Sequence, residues 1–288
     1  MAIPDALVLE RLETLLASEI DSAVAIEGGY TPAARWLLSL RSGTRVFVKM
    51  GTTRMTAEAL RREAMVYERL TDGFAPRLLA WQDDTDYPLL VLEDLSGAHW
   101  PPPWNEKLVG RVLEALDRVH RRRVELPTFR EVHRDLARGW QEVADDPAPF
   151  LSLAIKSREW LERSLPELVE ASSRLDTEGD CLTHFDVRSD NLCLAERGVL
   201  LVDWNGACLG NGALDTGFWL PSLEAEGGPK PEQILPGRPD VAAAVSGFFA
   251  ARAGQPEIVD APRVRWVQRQ QLAPALRWVV RALGLEDP

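Results

Sequence analysis

The sequence predicts an α+β protein with a strand-rich N-terminal part and a mainly helical C-terminal part. Three observations lead to this prediction. Residues 1–94 contain five short apolar runs separated by turn residues, which is typical of β-strands. From residue 95 onward, apolar residues recur every three or four positions, which indicates helices. One strand–loop–strand segment, at 181–203, interrupts this helical part.

The N-terminal part begins with an amphipathic helix over 6–19, whose apolar stripe holds Leu9, Leu12 and Leu16. The apolar runs predict strands at 23–26, 36–40, 45–48, 78–81 and 89–92. Ser42-Gly43 is a two-residue hairpin signal between the second and third strands. A second helix, 56–70, follows the third strand, and its apolar stripe holds Leu60, Ala64, Tyr67 and Leu70.

The C-terminal part starts after a connector at 93–103 that contains turn residues and a proline run. Helical periodicity follows at 108–119 and around 160–168, and it resumes near Asp215, Val241 and Arg263. We therefore expect two domains, at residues 1–94 and 95–288.

Composition narrows the function classes. The formal net charge of −11 argues against nucleic-acid binding, because phosphate backbones select basic surfaces. No apolar run approaches the roughly 20 residues that a membrane-spanning helix needs. The N-terminus lacks the basic and apolar regions of a signal peptide. We expect a cytoplasmic protein with no membrane or nucleic-acid partner; the oligomeric state is left open.

The segment His184–Asn191 carries the most informative pattern. Asp186 precedes Asn191 by five residues, and Asp203 ends the apolar run at 199–202. A kinase uses such a set: the first carboxylate orients a substrate hydroxyl and accepts its proton. The asparagine and the second carboxylate are hard oxygen ligands for Mg²⁺. The pattern predicts Asp186 as the catalytic residue and Asn191 and Asp203 as metal ligands.

The sequence HxDxxxxN followed by a strand-terminal Asp-Trp resembles the aminoglycoside phosphotransferase and choline kinase family. These are small-molecule kinases of the protein-kinase-like fold. The chain departs from them at Phe185, where most members carry glycine. The resemblance implies a two-lobe fold, with an N-terminal nucleotide-binding lobe at 1–94 and a C-terminal catalytic and substrate-binding lobe at 95–288. It also implies ATP and Mg²⁺ as cofactors.

Lys49 ends the third predicted strand and is the candidate for gripping the nucleotide phosphates. Glu63 lies on the apolar stripe of the helix that follows, and a carboxylate on a buried face needs a cation. The sequence therefore predicts an ion pair between Lys49 and Glu63. The residues around Glu63 also resemble the family's helix that carries this glutamate.

Two further features are assigned to the nucleotide site. Gly28 and Gly29 would let backbone amides approach the phosphates closely, because glycine has no side chain to clash. The segment from Glu93 to Leu95 fits a hinge whose backbone hydrogen-bonds adenine.

Arg188 has two interpretations from the sequence. It would neutralise charge on the transferring phosphate as a catalytic residue, or it would tie the loop to a carboxylate such as Asp190. Asp215 is expected to cap the helix that begins near it and to steady the catalytic loop.

The leading hypothesis is an ATP- and Mg²⁺-dependent kinase acting on a hydroxyl of a small molecule. Only eleven residues separate Asp203 from Asp215, too few for the activation segment of a protein kinase. An aminoglycoside would suit the acidic chain, but the arginine-rich stretch from Arg263 to Arg281 would not; a macrolide, a nucleoside or a metabolite is equally compatible. Two alternatives are an inactive nucleotide-binding scaffold and, ranked last, a metal-dependent hydrolase using His184, Asp186 and Asp203.

Overall fold

The computed structural model describes residues 3–70, 73–83, 86–134 and 136–286. The chain divides into two compact units. The first unit comprises residues 1–100 together with 192–206, and the second comprises 101–191 together with 207–288. The domain boundary predicted between residues 94 and 95 stays a prediction.

The helices and the strands of the described chain are each numbered in chain order. The helices are α1 (Ala6–Leu16), α2 (Arg54–Arg69), α3 (Glu106–Arg121), α4 (Phe129–His133), α5 (Gly139–Asp145), α6 (Ala148–Leu151), α7 (Arg158–Ser173), α8 (Gly212–Ala225), α9 (Pro231–Ile234), α10 (Pro239–Ala253) and α11 (Arg263–Leu283). The strands are β1 (Ile20–Ala25), β2 (Ala34–Leu40), β3 (Arg45–Met50), β4 (Leu78–Gln82), β5 (Leu89–Glu93), β6 (Cys181–Thr183), β7 (Leu192–Ala195), β8 (Gly198–Leu201) and β9 (Cys208–Gly210).

Within the described residues of the first unit, β1 to β5 form a five-stranded antiparallel sheet in the order β1-β2-β3-β5-β4. This confirms the predicted sheet. Side chains alternate between the two faces of each strand. One face packs against α1 to form the core of this unit, which contains Val8, Leu12, Trp36, Leu38, Leu40, Val46, Val48, Leu89 and Val91.

The opposite face of the sheet carries two rows of side chains that cross the strands. The register pairs Arg35 with Lys49, which makes the first row cationic. Two residues further along, the second row is apolar and runs through Val24, Leu37, Phe47 and Leu92. Leu37 and Phe47 are half-buried, and Val24 is 57% exposed, so this row is not sealed within the core.

Helix α2 brings Glu63 to the sheet. It begins at a capping box in which the Thr53 hydroxyl accepts the N–H of Thr56, at 3.2 Å, and Thr56 Oγ1 accepts the N–H of Thr53, at 2.9 Å. Such reciprocal bonds satisfy donors that a helix N-terminus leaves open. The buried face of α2 includes Leu60, Glu63 and Tyr67.

The β7–β8 hairpin belongs to the first unit, although it lies far along the chain. The N–H of Leu201 donates to the carbonyl of Phe74 at 2.8 Å, and the Trp204 ring packs against the Phe74 ring, with centroids 5.9 Å apart. These contacts hold Asp203, which directly precedes Trp204 and follows Leu201 by two residues.

The second unit is mainly helical. Helix α10 is buried along most of its length and packs against α5, α7 and α11. Glycines permit close contact between α5 and α10, since a Cβ at Gly139 would lie 2.1 Å from the carbonyl carbon of Gly247. Strands β6 and β9 pair in this unit, and the loop 184–191 follows β6. Among the described residues, no helix has both the length and the apolar composition needed to cross a membrane.

Candidate active site

In the first unit, the predicted ion pair between Lys49 and Glu63 is present. Lys49 Nζ donates to both carboxylate oxygens of Glu63, at 2.8 and 2.9 Å. Both side chains are buried, with 9% and 2% of their surfaces exposed. A charge in such a position is stable only with a partner that also satisfies its hydrogen bonds. The role of the pair in phosphate binding stays a prediction.

Asp203 joins this pair within the same unit. Lys49 Nζ also donates to Asp203 Oδ1, at 3.2 Å, and Asn205 Nδ2 donates to the same oxygen at 2.7 Å. Asp203 adopts a φ of 67°, a left-handed conformation that aspartate tolerates better than most residues. The ammonium of Lys49 is therefore held between two carboxylates that come from different elements.

These carboxylates control the charge of Lys49. Burial lowers the pKa of Lys49, but the Asp203 and Glu63 charges outweigh burial and leave the pKa raised above its ordinary value. Burial also raises the pKa of the neighbouring Tyr67 phenol well above its ordinary value, and the Glu63 charge adds to this shift. Lys49 therefore stays cationic and Tyr67 stays neutral around neutral pH.

The predicted glycine turn precedes β2. Gly28 and Gly29 have φ values of 145° and 70°, which L-residues with side chains rarely adopt. A Cβ at Gly29 would also lie 2.6 Å from Nη2 of Arg35, so a side chain there would have to displace the guanidinium. The turn thus needs glycine, and its contact with phosphates stays a prediction.

At the predicted hinge, the side chain of Glu93 is already engaged. It accepts the N–H and Nε–H of Arg77 at 2.9 and 3.1 Å, and it forms an ion pair with Arg197. The carbonyl of Leu95 accepts the N–H of Ala98 at 3.0 Å and Trp100 Nε1 at 3.2 Å. The Leu95 N–H has no acceptor in the part of the chain that the structure describes. Glu93 therefore fixes the hinge, and the Leu95 amide is the group open to a ligand.

In the second unit, the loop after β6 brings Asp186 and Asn191 together. Asn191 Nδ2 donates to the carbonyl of Asp186 at 2.9 Å and to its Oδ2 at 2.8 Å. Asn191 lies in a 3₁₀ turn, Ser189–Asn191, and is buried. The N–H of Asp186 donates to His184 Nδ1 at 3.2 Å. The loop is thus closed by its own side chains, which fix the Asp186 carboxylate.

Arg188 forms ion pairs with two loop carboxylates. Its Nε lies 3.1 Å from Asp190 Oδ1, and its Nη2 lies 3.3 Å from Asp186 Oδ2. The tie to Asp190 that one interpretation required is therefore present. The contact with Asp186 also places the guanidinium beside the candidate catalytic carboxylate, and a catalytic role for Arg188 stays a prediction.

Asp215 steadies this loop but does not cap a helix, which corrects one expectation. Asn211 is the N-cap of α8, and its Oδ1 accepts the N–H of Ala213 at 3.0 Å. Asp215 lies within the first turn of α8, fully buried, and accepts the N–H groups of His184 and Phe185 at 2.8 and 2.5 Å. The sequence could not show this, because the cap depends on where the helix begins.

Phe185, at the position where most members of the resembling family carry glycine, adopts a φ of 67°. This left-handed conformation strains a residue with a bulky side chain. Aromatic contacts hold the ring, with centroid distances of 4.0 Å to His133, 5.1 Å to Phe218 and 5.3 Å to Phe129. The chain thus keeps the backbone geometry of glycine and adds an aromatic anchor.

Sequence reasoning missed a further support of the loop. Glu226 accepts Ser189 Oγ at 2.6 Å and Trp104 Nε1 at 2.7 Å, so one carboxylate connects the loop to the start of the helical region. Along the chain, Glu226 is 37 residues from Ser189 and 122 residues from Trp104, so no local pattern links the three.

Structural comparison supports the fold. An amicoumacin kinase in complex with AMP-PNP and Ca²⁺ is 12% identical, with a TM-score of 0.55 over 95% of this chain and 93% of that one. A macrolide 2'-phosphotransferase from Brachybacterium faecium is 14% identical, with a TM-score of 0.54 over 98% and 97%. A choline kinase from Cryptosporidium parvum is 11% identical, with a TM-score of 0.53 over 94% and 89%.

The fold is therefore that of the protein-kinase-like small-molecule kinases, as the motifs predicted. No curated relative matches the chain. A family model described as the phosphotransferase enzyme family matches residues 22–238. That range spans more than half of the chain and contains the glycine turn, the Lys49–Glu63–Asp203 cluster and the Asp186 loop, so this chain belongs to the phosphotransferase enzyme family.

Proposed function

We propose that this protein transfers the γ-phosphate of ATP, with Mg²⁺, to a hydroxyl group of a small molecule. The observation that carries the proposal is the buried cluster of Lys49, Glu63 and Asp203 in a chain of this family. A lysine held in this way presents one fixed positive charge, which suits the binding of a nucleotide phosphate.

The nucleotide side of the proposal uses the open face of the sheet. The apolar row of Leu37 and Phe47 lies two residues from the cationic row on the same face, which suits a flat base on one side and phosphates on the other. Leu95 offers its backbone N–H to the base. Apolar contacts with a few placed polar groups are the usual composition of such a site.

The acceptor side of the proposal uses the loop of the second unit. Asp186, fixed by Asn191, orients the acceptor hydroxyl and takes its proton. An aspartate suits this task because the transition state of phosphoryl transfer is loose, so positioning matters more than early deprotonation. Arg188, beside Asp186, balances negative charge that develops during the transfer.

Asp203 and Asn191 are the proposed ligands of Mg²⁺, which would neutralise negative charge on the nucleotide phosphates. The donor types fit, because Mg²⁺ is usually bound by one or two protein oxygens together with phosphates and water. Across the described residues, no group of three or more aspartate, glutamate, histidine or cysteine side chains is placed to hold a metal ion by itself. Since Nδ2 of Asn191 donates to Asp186, its amide oxygen is the atom left for a cation.

For the acceptor, both antibiotics and metabolites remain in the proposal. The names of the three structural relatives indicate different substrates. A shared fold does not determine which substrate a protein uses. From its sequence, the basic helix α11 would repel a cationic acceptor. In the structure, this objection is weaker. Arg281 is paired with Glu224 and Glu232, and Arg277 lies 3.9 Å from Glu224, so acids neutralise its C-terminal half.

Thermal unfolding with ATP and Mg²⁺ tests nucleotide use. We expect ATP with Mg²⁺ to stabilise the wild type, by about 2.7 kcal/mol at a free concentration of a hundred times Kd. Asp203→Asn, which keeps the shape and removes the charge, should lose the Mg²⁺-dependent part. Asp21→Asn is the matched control, because Asp21 is a half-exposed carboxylate in β1. A wild type that ATP and Mg²⁺ do not stabilise would contradict the proposal.

A second experiment separates the enzyme from the alternative, an inactive nucleotide-binding scaffold. ATP consumption is measured with aminoglycosides, macrolides, nucleosides and amino alcohols as acceptors, followed by mass spectrometry of the product. We expect one class to gain a single phosphate. Stabilisation by ATP without turnover on any acceptor would favour the scaffold.

A further inference from the structure

Arg35 is a buried cation that has no carboxylate partner among the residues the structure describes. It lies in β2 and is 9% exposed. Within the described chain it makes two hydrogen bonds, both from Nη1 to backbone carbonyls, at 2.9 Å to Ala33 and 3.3 Å to Gly28. A guanidinium has five N–H groups. Those on Nε and Nη2 therefore have no protein acceptor among the described residues.

The residue directly opposite Arg35 on β3 is a second cation. Arg35 pairs directly with Lys49 in the β2–β3 ladder, so the two side chains leave the same face. Burial and the Arg35 charge both lower the pKa of Lys49, against the two carboxylates that raise it overall. Those carboxylates hydrogen-bond to Lys49 and not to Arg35. Two cations that leave the same face side by side repel each other, and an anion bound by both would offset this repulsion.

The glycine turn is seated on the same guanidinium. A Cβ at Gly29 would lie 2.6 Å from Nη2 and 2.8 Å from Cζ of Arg35. The turn that was predicted to approach phosphates with its amides is thus built against Arg35. Backbone amides and a guanidinium are both preferred donors to phosphate oxygens.

We infer that Arg35 is a second phosphate-binding residue, which contacts the phosphate chain of the nucleotide through Nε and Nη2 beside the Lys49 ammonium. The inference rests on the proposed function and adds a residue to its nucleotide site. A guanidinium suits the role because its planar donors match phosphate geometry and it stays charged when buried.

A purely structural role for Arg35 makes a different prediction. As a strut, Arg35 would act only through its hydrogen bonds to the Gly28 and Ala33 carbonyls, which a glutamine can replace, so Arg35→Gln would bind every ligand like the wild type. As a phosphate ligand, it would affect only ligands that carry phosphates. Arg35→Gln separates the two, because glutamine can still donate to the turn carbonyls and carries no charge.

The experiment measures dissociation constants of ATP, adenosine and inorganic tripolyphosphate by calorimetry with Mg²⁺. For Arg35→Gln we expect about tenfold to a hundredfold weaker ATP and tripolyphosphate binding, with adenosine unchanged. Arg35→Lys should recover part of the loss. Arg41→Gln, at an exposed arginine just beyond β2, should bind all three ligands like the wild type.

Equal losses for adenosine and ATP would overturn the inference, and so would unchanged tripolyphosphate binding. If Arg35→Gln does not fold, as judged by circular dichroism, Arg35→Lys decides: we expect at least about threefold weaker ATP binding because the fork of donors is lost, and wild-type ATP affinity would overturn the inference. Failure of the wild type to bind ATP removes the proposed function and this inference together, whereas equal ATP affinity in wild type and Arg35→Gln removes only the inference.

Discussion

Lys49 and Glu63 form a two-point contact across fourteen residues of sequence, from the third strand to the middle of the following helix. Each charge is buried, and both carboxylate oxygens of Glu63 accept hydrogen bonds from Lys49 Nζ. Removing one member of a buried pair is far more costly than replacing both with apolar groups. Stability and phosphate binding at Lys49 can therefore be separated by mutation.

We expect Lys49→Met to destabilise the protein by about 3–5 kcal/mol, because Glu63 is left buried without its cation. The double variant Lys49→Met/Glu63→Leu should recover most of this stability but no nucleotide affinity. Urea unfolding and ATP titration measure the two quantities. A double variant that regains ATP binding would contradict the phosphate-binding role of Lys49.

Asp186→Asn should lower kcat by about 10²–10⁴-fold, because the proton acceptor is lost while the loop geometry is kept. ATP affinity should change little. The check is steady-state turnover with the acceptor found in the screen, alongside ATP titration. Loss of ATP binding together with turnover would contradict the assignment of Asp186 to the acceptor. Asp190→Asn is the matched control within the same loop, since Asp190 contacts Arg188 and is exposed.

Asp215→Ala should destabilise the second unit by about 2–4 kcal/mol, because the N–H groups of His184 and Phe185 lose their acceptor in a buried place. Asp215→Asn retains one acceptor oxygen and should lose less. Urea unfolding gives the free energies, and hydrogen exchange at the two amides gives the local effect. Unchanged amide protection in Asp215→Ala would show that the carboxylate does not hold the loop.

Phe185→Gly should be more stable than Phe185→Ala by about 1 kcal/mol. Both variants lose the aromatic contacts, but only glycine adopts a φ of 67° without strain. Both should be less stable than the wild type, because the ring packs against His133 and Phe218. Thermal or urea unfolding of the three proteins decides the order. An alanine variant as stable as the glycine variant would show that the backbone is not strained there.

Stability should fall as the pH rises above about 10, the ordinary pKa of tyrosine. Burial raises the pKa of Tyr67 in the folded protein, so the unfolded chain loses its proton first and gains stability relative to the fold. The contribution is complete below the unfolded pKa and is lost as the pH climbs toward the folded one. Tyr67→Phe should therefore show a shallower alkaline decline in urea unfolding; equal slopes would contradict the assignment.

Patterns that are local in sequence predicted most of the fold and the main site residues. The five strands follow from short apolar runs, and Glu63 is recognisable because a carboxylate interrupts an apolar helical stripe. The motif from His184 to Asn191 is contiguous, so its internal contacts could be anticipated.

The features that sequence reasoning missed depend on long-range register. Arg35 becomes notable only because β2 pairs with β3 so that Lys49 lies opposite. Glu226 meets Ser189 and Trp104 through packing of the helical unit, which no periodicity encodes. The N-cap of α8 fell at Asn211 and not at Asp215, because helix ends depend on competing polar residues within a few positions.

The assignment of 192–206 to the first unit has a consequence for biosynthesis. The ribosome delivers β1 to β5 early, yet Leu201 and Trp204, which bond and pack against Phe74, emerge only after about a hundred residues of the other unit. Phe74 cannot make these contacts until the late segment has been synthesised. A fragment ending at residue 100 would expose the surface that this segment covers. Expression of the strand-rich half alone is therefore expected to yield an aggregation-prone product.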